Sequence, residues 1–183
     1  RRQRQMCIRD RPYPVAVCVH GSDNWSGHHH EHILNFLENG IAVFRVHSFD
    51  SRGVASTAED QLAVTAAMMM VDAVEPLKFL SRHPDIDPKR IGITGWSLGG
   101  IVAFYSAWEP IMEILAPEGE RFCAHLPIYP ATFLQPDEHR WSKAPILSLV
   151  GEVDDYTPAS LVKDLTKQML SLIHISEPTR PSI

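Results

Sequence analysis

The chain has 183 residues, of which 44% are hydrophobic and 21% charged, and its formal net charge is −5. This length suits one domain, and the composition is that of an ordinary folded protein, which excludes disordered, collagen-like and disulfide-dense chains. The chain has no run of about 18 apolar residues, so we expect no membrane span. No apolar stretch follows the basic N-terminus, so we expect no signal peptide. The three cysteines lack metal-type spacing, and we expect a reducing, cytoplasmic location.

Five short apolar segments rich in β-branched residues alternate with helical patterns along the chain. The predicted strands are Pro14–His20, Ile41–Val46, Arg90–Thr94, Phe122–Ile128 and Pro145–Val150. The predicted helices cover His30–Asn39, Ala58–Arg82, the residues from Ser97 to about Trp108, and Ala159 onward, and Glu109–Glu120 is predicted as a loop. Strands that are apolar throughout and alternate with helices predict an α/β fold with a mostly parallel sheet and helices on both faces.

The third predicted strand runs into Gly95-Trp96-Ser97-Leu98-Gly99, which fits the pattern G-x-S-x-G. A serine between a strand and a helix is typical of a nucleophile elbow, in which a strained turn raises the hydroxyl above the sheet. The following helix N-terminus helps to stabilise developing negative charge. Ser97 is therefore the candidate nucleophile, and the alternative is an ordinary glycine-rich turn.

A serine nucleophile needs two N–H donors for the oxyanion of its tetrahedral intermediate. The backbone N–H of Leu98 is one candidate, and the second should come from the turn after the first strand, from Ser22 or Asp23. The acid that orients a catalytic histidine is expected in the loop after the fifth strand, where Asp154 is favoured over Asp155. The alternative is that both aspartates only cap the next helix.

Other polar and aromatic residues lie close to these positions in the sequence. His28 and His32 have the i, i+4 spacing of metal ligands, but apart from Glu31 no carboxylate or cysteine nearby completes a ligand set, so we expect no metal. One histidine of this cluster could line the pocket. Arg52 follows the second strand, where it could clamp a substrate carboxylate or brace its own loop. The aromatic residues that could either shape the substrate pocket or simply pack are Trp25, Trp96 and Tyr156.

The two ends of the chain differ from the rest in pattern and charge. Residues 1–11 carry a net +4 and residues 170–183 carry none, so residues 12–169 carry −9. Met6–Arg11 resembles a translated frame of the transposase adapter used in sequencing libraries, and Leu170–Arg180 resembles the opposite adapter. We therefore expect both ends to be non-native and residues 12–169 to be a partial domain. Nucleic-acid binding through the basic N-terminal arm is then not expected, since the domain itself is acidic.

The segments VAVCVHGS, SFDSRGV, DAVEPLKFLSRHPDIDPKRIGITGWSLGG, HLPIYP and GEVDDYTP together resemble the dienelactone hydrolase family of α/β-hydrolases. The resemblance covers most of residues 14–169. It implies the α/β-hydrolase fold and hydrolysis of a small-molecule carboxylic ester or lactone through an acyl-enzyme, without a cofactor. It also implies that Arg52 binds a substrate carboxylate, because founding members of the family act on an acidic lactone.

Two departures from the family pattern matter for function. The founding enzymes carry a cysteine nucleophile where this chain has Ser97, which favours a broader ester or lactone substrate. The family's catalytic histidine follows a last strand, whereas this chain enters the adapter-like segment first, and His174 belongs to that segment. We therefore expect an active parent enzyme but an inactive or nearly inactive chain. The alternatives are a non-catalytic binding protein, or an acyltransferase or peptidase on the same scaffold.

Overall fold

The computed structural model describes residues 12–173, whose backbone forms one parallel sheet flanked by helices. The strands are β1 (Tyr13–Val19), β2 (Ala42–Val46), β3 (Ile86–Trp96) and β4 (His125–Ile128), in the spatial order β2-β1-β3-β4. The helices are α1 (Gly27–Glu38), α2 (Ala66–Ser81), α3 (Leu98–Tyr105), α4 (Glu109–Leu115) and α5 (Ala159–Ile173), with a 3₁₀ turn at Asp50–Arg52. None of the helices described is long and apolar enough to cross a membrane.

The predicted α/β class and parallel sheet are confirmed, although β3 and β4 differ in their bounds from the predicted strands. The fifth predicted strand differs most. Pro145–Val150 runs parallel to β4 and pairs with it only at two separate bridges. The N–H groups of His125 and Tyr129 donate to the carbonyls of Pro145 and Leu149, at 2.9 and 2.7 Å. Pro127 lies between these two donors and has no N–H, so the ladder is interrupted at its centre.

One helix begins later than predicted, and one predicted loop contains a helix. Residues 58–65 are turns, and α2 begins only after Thr65, whose hydroxyl accepts a hydrogen bond from the N–H of Met68 at 3.3 Å. Part of the predicted loop Glu109–Glu120 forms α4, which has a proline in its first turn, where proline is well tolerated. Capping and first-turn proline chemistry therefore set these bounds.

The sheet is buried on both faces because β1 presents apolar side chains alternately to each side. Val15, Val17 and Val19 pack into the larger core with α2 and α3, whereas Ala16 and Cys18 pack into a smaller cluster on the α1 side. This explains why the strand sequences are apolar throughout instead of alternating with polar residues.

The parallel register brings three loops to one edge of the sheet. Val19 of β1 pairs with Gly95 of β3, and Trp96 of β3 pairs with Ile128 of β4. The residues that follow these three strands therefore meet at the carboxyl edge, which is where α/β folds place their ligands.

The predicted non-native segment 1–11 lies outside the described residues. Of the segment 170–183, residues 170–173 are described, as the last turn of α5, and the remainder, with His174, lies outside. The prediction that these ends are adapter-derived stays a prediction.

Candidate active site

Ser97 lies at the junction of β3 and α3 with a strained backbone. Its φ of 52° and ψ of −113° are values that residues with a side chain rarely adopt. The Ser97 N–H donates to the carbonyl of Ile128 at 2.9 Å, and the Ser97 carbonyl accepts from the N–H of Ile101 at 3.0 Å. Both bonds hold the strained residue in place between strand and helix, and such strain is typical of functional sites.

The glycines of the motif allow the close packing that this turn requires. A Cβ atom on Gly95 would lie 2.0 Å from the carbonyl oxygen of Gly99, and one on Gly99 would lie 2.2 Å from the carbonyl oxygen of Val19. Real side chains never come this close to backbone atoms, so only glycine fits at both positions. The G-x-S-x-G spacing therefore has a steric cause in the contact between β1, β3 and α3.

The two predicted oxyanion donors lie on segments next to Ser97. Leu98 is the first residue of α3, where a backbone N–H has no acceptor within its own helix. The turn after β1 approaches from the other side, since a Cβ atom on Gly21 would be 3.5 Å from the Cβ of Ser97. Ser22 is fixed in this turn because its carbonyl accepts the N–H of Thr57 at 2.8 Å.

Asp154 follows the segment 145–150, which is separated from β3 by β4. Its carboxylate accepts from the N–H groups of Tyr156 and Thr157, at 3.0 and 2.8 Å, and from the Thr157 hydroxyl at 2.6 Å. The Thr157 hydroxyl and N–H groups lower the pKa of Asp154, so the group is a carboxylate at neutral pH. Within residues 12–173, no histidine hydrogen-bonds to Asp154. Because α5 begins only at Ala159, the contacts with Tyr156 and Thr157 stabilise the turn that carries Asp154 and do not cap the helix.

Arg52 is held by contacts within the protein. Its guanidinium pairs with both carboxylate oxygens of Asp72 on α2, at 2.6 and 3.0 Å, and also donates to the carbonyl of Ser48 at 2.6 Å. The hydrogen bond to Asp72 raises the pKa of Arg52. These contacts support the loop-bracing alternative, because a substrate carboxylate would have to displace Asp72.

The three predicted aromatic pocket residues, Trp25, Trp96 and Tyr156, have different surroundings. Trp96 is only 1% exposed and packs against the rings of His29 and Trp25, at centroid distances of 4.6 and 6.0 Å. Tyr156 is 67% exposed, and its hydroxyl accepts from the amide of Gln61 at 3.2 Å. Trp96 is therefore a buried packing residue next to Ser97, whereas Tyr156 is open to solvent in the loop that carries Asp154.

Comparison with known proteins identifies the family. A model of the dienelactone hydrolase family matches residues 12–172. The chain belongs to this family. The resemblance inferred from the motifs is thereby confirmed. No curated protein sequence matches the chain.

Solved structures share the fold of this family member. A Klebsiella pneumoniae protein described as a dienelactone hydrolase is 17% identical, with a TM-score of 0.64 over 88% of this chain and 70% of its own. Apo esterase 2 from Thermogutta terrifontis is 16% identical, with a TM-score of 0.66 over 88% of this chain and 69% of its own. At such identities the likeness shows the shared α/β-hydrolase fold.

One residue at the edge was not singled out from the sequence. Tyr129 directly follows β4 and has a φ of 38°, the third positive value at a non-glycine residue among those described, with Asn24 and Ser97. Its hydroxyl lies 3.3 Å from Nε2 of His28. The position of Tyr129 after the fourth predicted strand, within HLPIYP, was the available signal.

The histidines near the site are not arranged to bind a metal. Among residues 12–173, no group of three or more His, Cys, Asp or Glu side chains could hold a metal ion. His20 is fully buried against Phe49, with its Nδ1 2.9 Å from the carbonyl of Gly21, and burial lowers its pKa. Burial also lowers the pKa of His29, to about 4. Both rings are therefore neutral structural groups at physiological pH.

Proposed function

We propose that the protein is a serine hydrolase that acts on small-molecule carboxylic esters or lactones through an acyl-enzyme. The observation that carries this proposal is the strained backbone of Ser97 between a strand and a helix, with φ at 52°. A non-glycine residue is expected to keep such a conformation only where its surroundings force it, as the glycine contacts of β1, β3 and α3 do here. Membership of the dienelactone hydrolase family supports hydrolysis as the reaction class.

In the proposed mechanism, Ser97 Oγ attacks the acyl carbon while a histidine takes its proton. The carbonyl oxygen becomes an oxyanion, which the N–H groups of Leu98 and Ser22 stabilise. The bond to the alcohol oxygen then breaks, and the histidine returns the proton to this leaving group. Water attacks the acyl-enzyme in the same manner, which releases the acid and restores the Ser97 hydroxyl.

We propose a general base outside residues 12–173, because no histidine within that range hydrogen-bonds to Asp154. His20, His29 and His125 are buried side chains of the fold, and burial lowers the pKa of each. Asp154 is the proposed partner of the missing histidine, and its ionised state fits the role of stabilising an imidazolium. A serine without its base retains only the help of the oxyanion donors and of binding. We therefore propose that residues 12–173 alone hydrolyse esters slowly or not at all.

The same proposal includes the cellular setting. The acidic balance of residues 12–169 opposes binding to a phosphate backbone, so no nucleic-acid partner is proposed. Cys18 and Cys123 are both free thiols, as expected in the cytoplasm. No membrane partner and no cofactor are proposed.

The test measures both turnover and the reactivity of Ser97. Hydrolysis of p-nitrophenyl acetate should require the protein extended by its native downstream sequence, obtained by sequencing the source DNA beyond codon 169. Ser97→Ala should abolish this activity, whereas Ser160→Ala, at an exposed position of α5, should retain it. In the extended protein a fluorophosphonate should label Ser97, and mass spectrometry would locate the label. Full activity in Ser97→Ala would overturn the proposal.

A further inference from the structure

Tyr129 occupies the position next to Ser97 at the carboxyl edge of the sheet. Trp96 and Ile128 are paired in register, and Ser97 and Tyr129 follow them on the two neighbouring strands. Adjacent strands lie about 4.8 Å apart, so Tyr129 is one strand spacing from the serine. The N–H of Tyr129 donates to the carbonyl of Leu149 at 2.7 Å, which fixes its backbone.

The side chain of Tyr129 extends from the end of β4 to the first turn of α1. It packs, partly buried, against the cluster that contains Trp96 and Ile128. Its hydroxyl meets His28 in the first turn of α1, directly after the turn that carries Ser22. The Tyr129–His28 pair therefore links the two segments that flank the serine.

The contacts of Ser26 decide which atom of this pair donates. The Ser26 N–H donates to Nδ1 of His29 at 3.0 Å, so this nitrogen carries no proton. Ser26 Oγ is 3.2 Å from the same nitrogen and 2.8 Å from Nδ1 of His28. Only one arrangement gives every contact a donor and an acceptor: the Ser26 hydroxyl donates to His29, and His28 donates from Nδ1 to Ser26 Oγ.

This direction sets the role of the Tyr129 hydroxyl. When Nδ1 carries the only proton of the His28 ring, Nε2 is an acceptor, and the Tyr129 O–H donates to it. Burial raises the pKa of Tyr129, so the phenol remains protonated. The phenol proton is therefore donated to His28, and the phenol oxygen keeps a lone pair that can accept a hydrogen bond from a ligand.

We propose that the oxygen of Tyr129 accepts a hydrogen bond from a hydroxyl group that the substrate carries next to its scissile carbonyl, so that the site favours esters of 2-hydroxy acids. His28 is a positioning residue, which orients the phenol proton away from the ligand. This inference rests on the proposed role of Ser97 as the nucleophile.

The experiment compares three esters that differ only at one group: methyl 2-hydroxypropanoate, methyl 2-methylpropanoate and methyl 2-methoxypropanoate. Their binding to the 183-residue chain is followed by NMR titration at about pH 8, where ordinary histidines are neutral. The hydroxy ester, in one of its enantiomers, should bind about fivefold more tightly than the methyl and methoxy esters, as one hydrogen bond predicts. If the chain hydrolyses the esters, the ratios of kcat/KM replace the ratios of Kd.

Two variants separate this role from a structural one. Tyr129→Phe should bring the three esters to within about twofold of one another, because none of them can then use the phenol oxygen. His28→Gln should reduce the preference for the hydroxy ester, because the phenol proton is no longer held by the histidine. Tyr13→Phe, at the opposite end of β1, removes another phenol and should keep the full preference.

Each contrary outcome is distinct. Equal binding of the three esters by the unmodified chain, or an unchanged preference in Tyr129→Phe, would overturn the inference and leave the proposed function intact. Equal binding of the hydroxy and methoxy esters would overturn it too, because the methoxy group cannot donate. Failure of every ester to bind, together with failure of a fluorophosphonate to label Ser97 in the protein extended by its native downstream sequence, would overturn the proposed function itself.

Discussion

Gly99 of α3 lies against the carbonyl of Val19 in β1, so closely that a Cβ atom on the glycine would be 2.2 Å from the carbonyl oxygen. This contact fixes the distance between the serine turn and the turn after β1. We expect Gly99→Ala to lower the free energy of unfolding by about 3 kcal/mol, because the neighbouring atoms are backbone and cannot rotate away. Urea denaturation followed by circular dichroism would measure the change.

The matched control is Gly27→Ala at the start of α1. A Cβ atom on Gly27 meets nothing within 4 Å, and alanine is the better helix former. This variant should be neutral or slightly stabilising. If Gly99→Ala were as stable as Gly27→Ala, the tight packing of the serine turn would be contradicted.

His125 makes the stability depend on pH. Its Nδ1 donates to the carbonyl of Ala103 at 3.1 Å, its Nε2 is buried without a partner among the described residues, and burial lowers its pKa to about 4. An unfolded histidine has a pKa of about 6.5. As the pH falls from about 6.5 to about 4, this histidine becomes protonated in the unfolded chain but stays neutral in the folded chain. The free energy of unfolding therefore falls by up to about 3 kcal/mol.

The variant His125→Gln should reduce the slope of this part of the pH profile, although it lowers stability at neutral pH. Burial of His20 and His29 also lowers their pKa values, so part of the slope should remain. The exposed Ser160 provides the control, since Ser160→Ala removes no titratable group and should leave the profile unchanged. Melting temperatures measured from about pH 7 to about pH 4 would show the slopes. Parallel profiles for His125→Gln and the unmodified chain would show that another group is responsible.

The sequence predicts the sheet well because the strands are apolar on both faces and end in recognisable turns. It predicts Ser97 for the same reason, since glycine spacing has a local steric cause. The interruption beside Pro127 was not predictable in the same way, because it depends on which strand lies next to β4. The pairing of Arg52 with Asp72, 20 residues away on a helix, likewise depends on tertiary packing, and so does the contact between Tyr129 and His28.

The Arg52–Asp72 pair can be tested as a brace by a double-mutant cycle. Both side chains are partly exposed, so we expect Arg52→Gln and Asp72→Asn each to cost about 1 kcal/mol in the free energy of unfolding. The double variant should cost little more than either single one, because both remove the same contact. Additive losses would contradict the brace, and a raised KM for acidic lactones alone would support the carboxylate clamp.

Asp154 and Asp155 can be separated in the protein extended by its native downstream sequence. Asp154→Asn should lower kcat for p-nitrophenyl acetate by about 10⁴-fold, because an amide cannot stabilise the imidazolium. Asp155→Asn is the matched control at an exposed position and should change kcat by less than about twofold. The reverse pattern would transfer the role to Asp155, and no loss in either variant would leave Asp154 as a residue that only stabilises its own turn.

A cavity of about 410 Å³ lies on the α1 side of the sheet, away from Ser97. It is bounded by apolar groups of β1, β3 and the segment along β4, among them Ala16, Ile93 and Leu147. Leu147 at its rim is 62% exposed.

Because exposed apolar concavities bind apolar dyes, we expect the folded chain to enhance the fluorescence of anilinonaphthalene sulfonate. Leu147→Glu should reduce this enhancement several-fold through charge repulsion, whereas Leu134→Glu, at a similarly exposed site elsewhere, should not. Equal enhancement in both variants would place the dye outside this cavity.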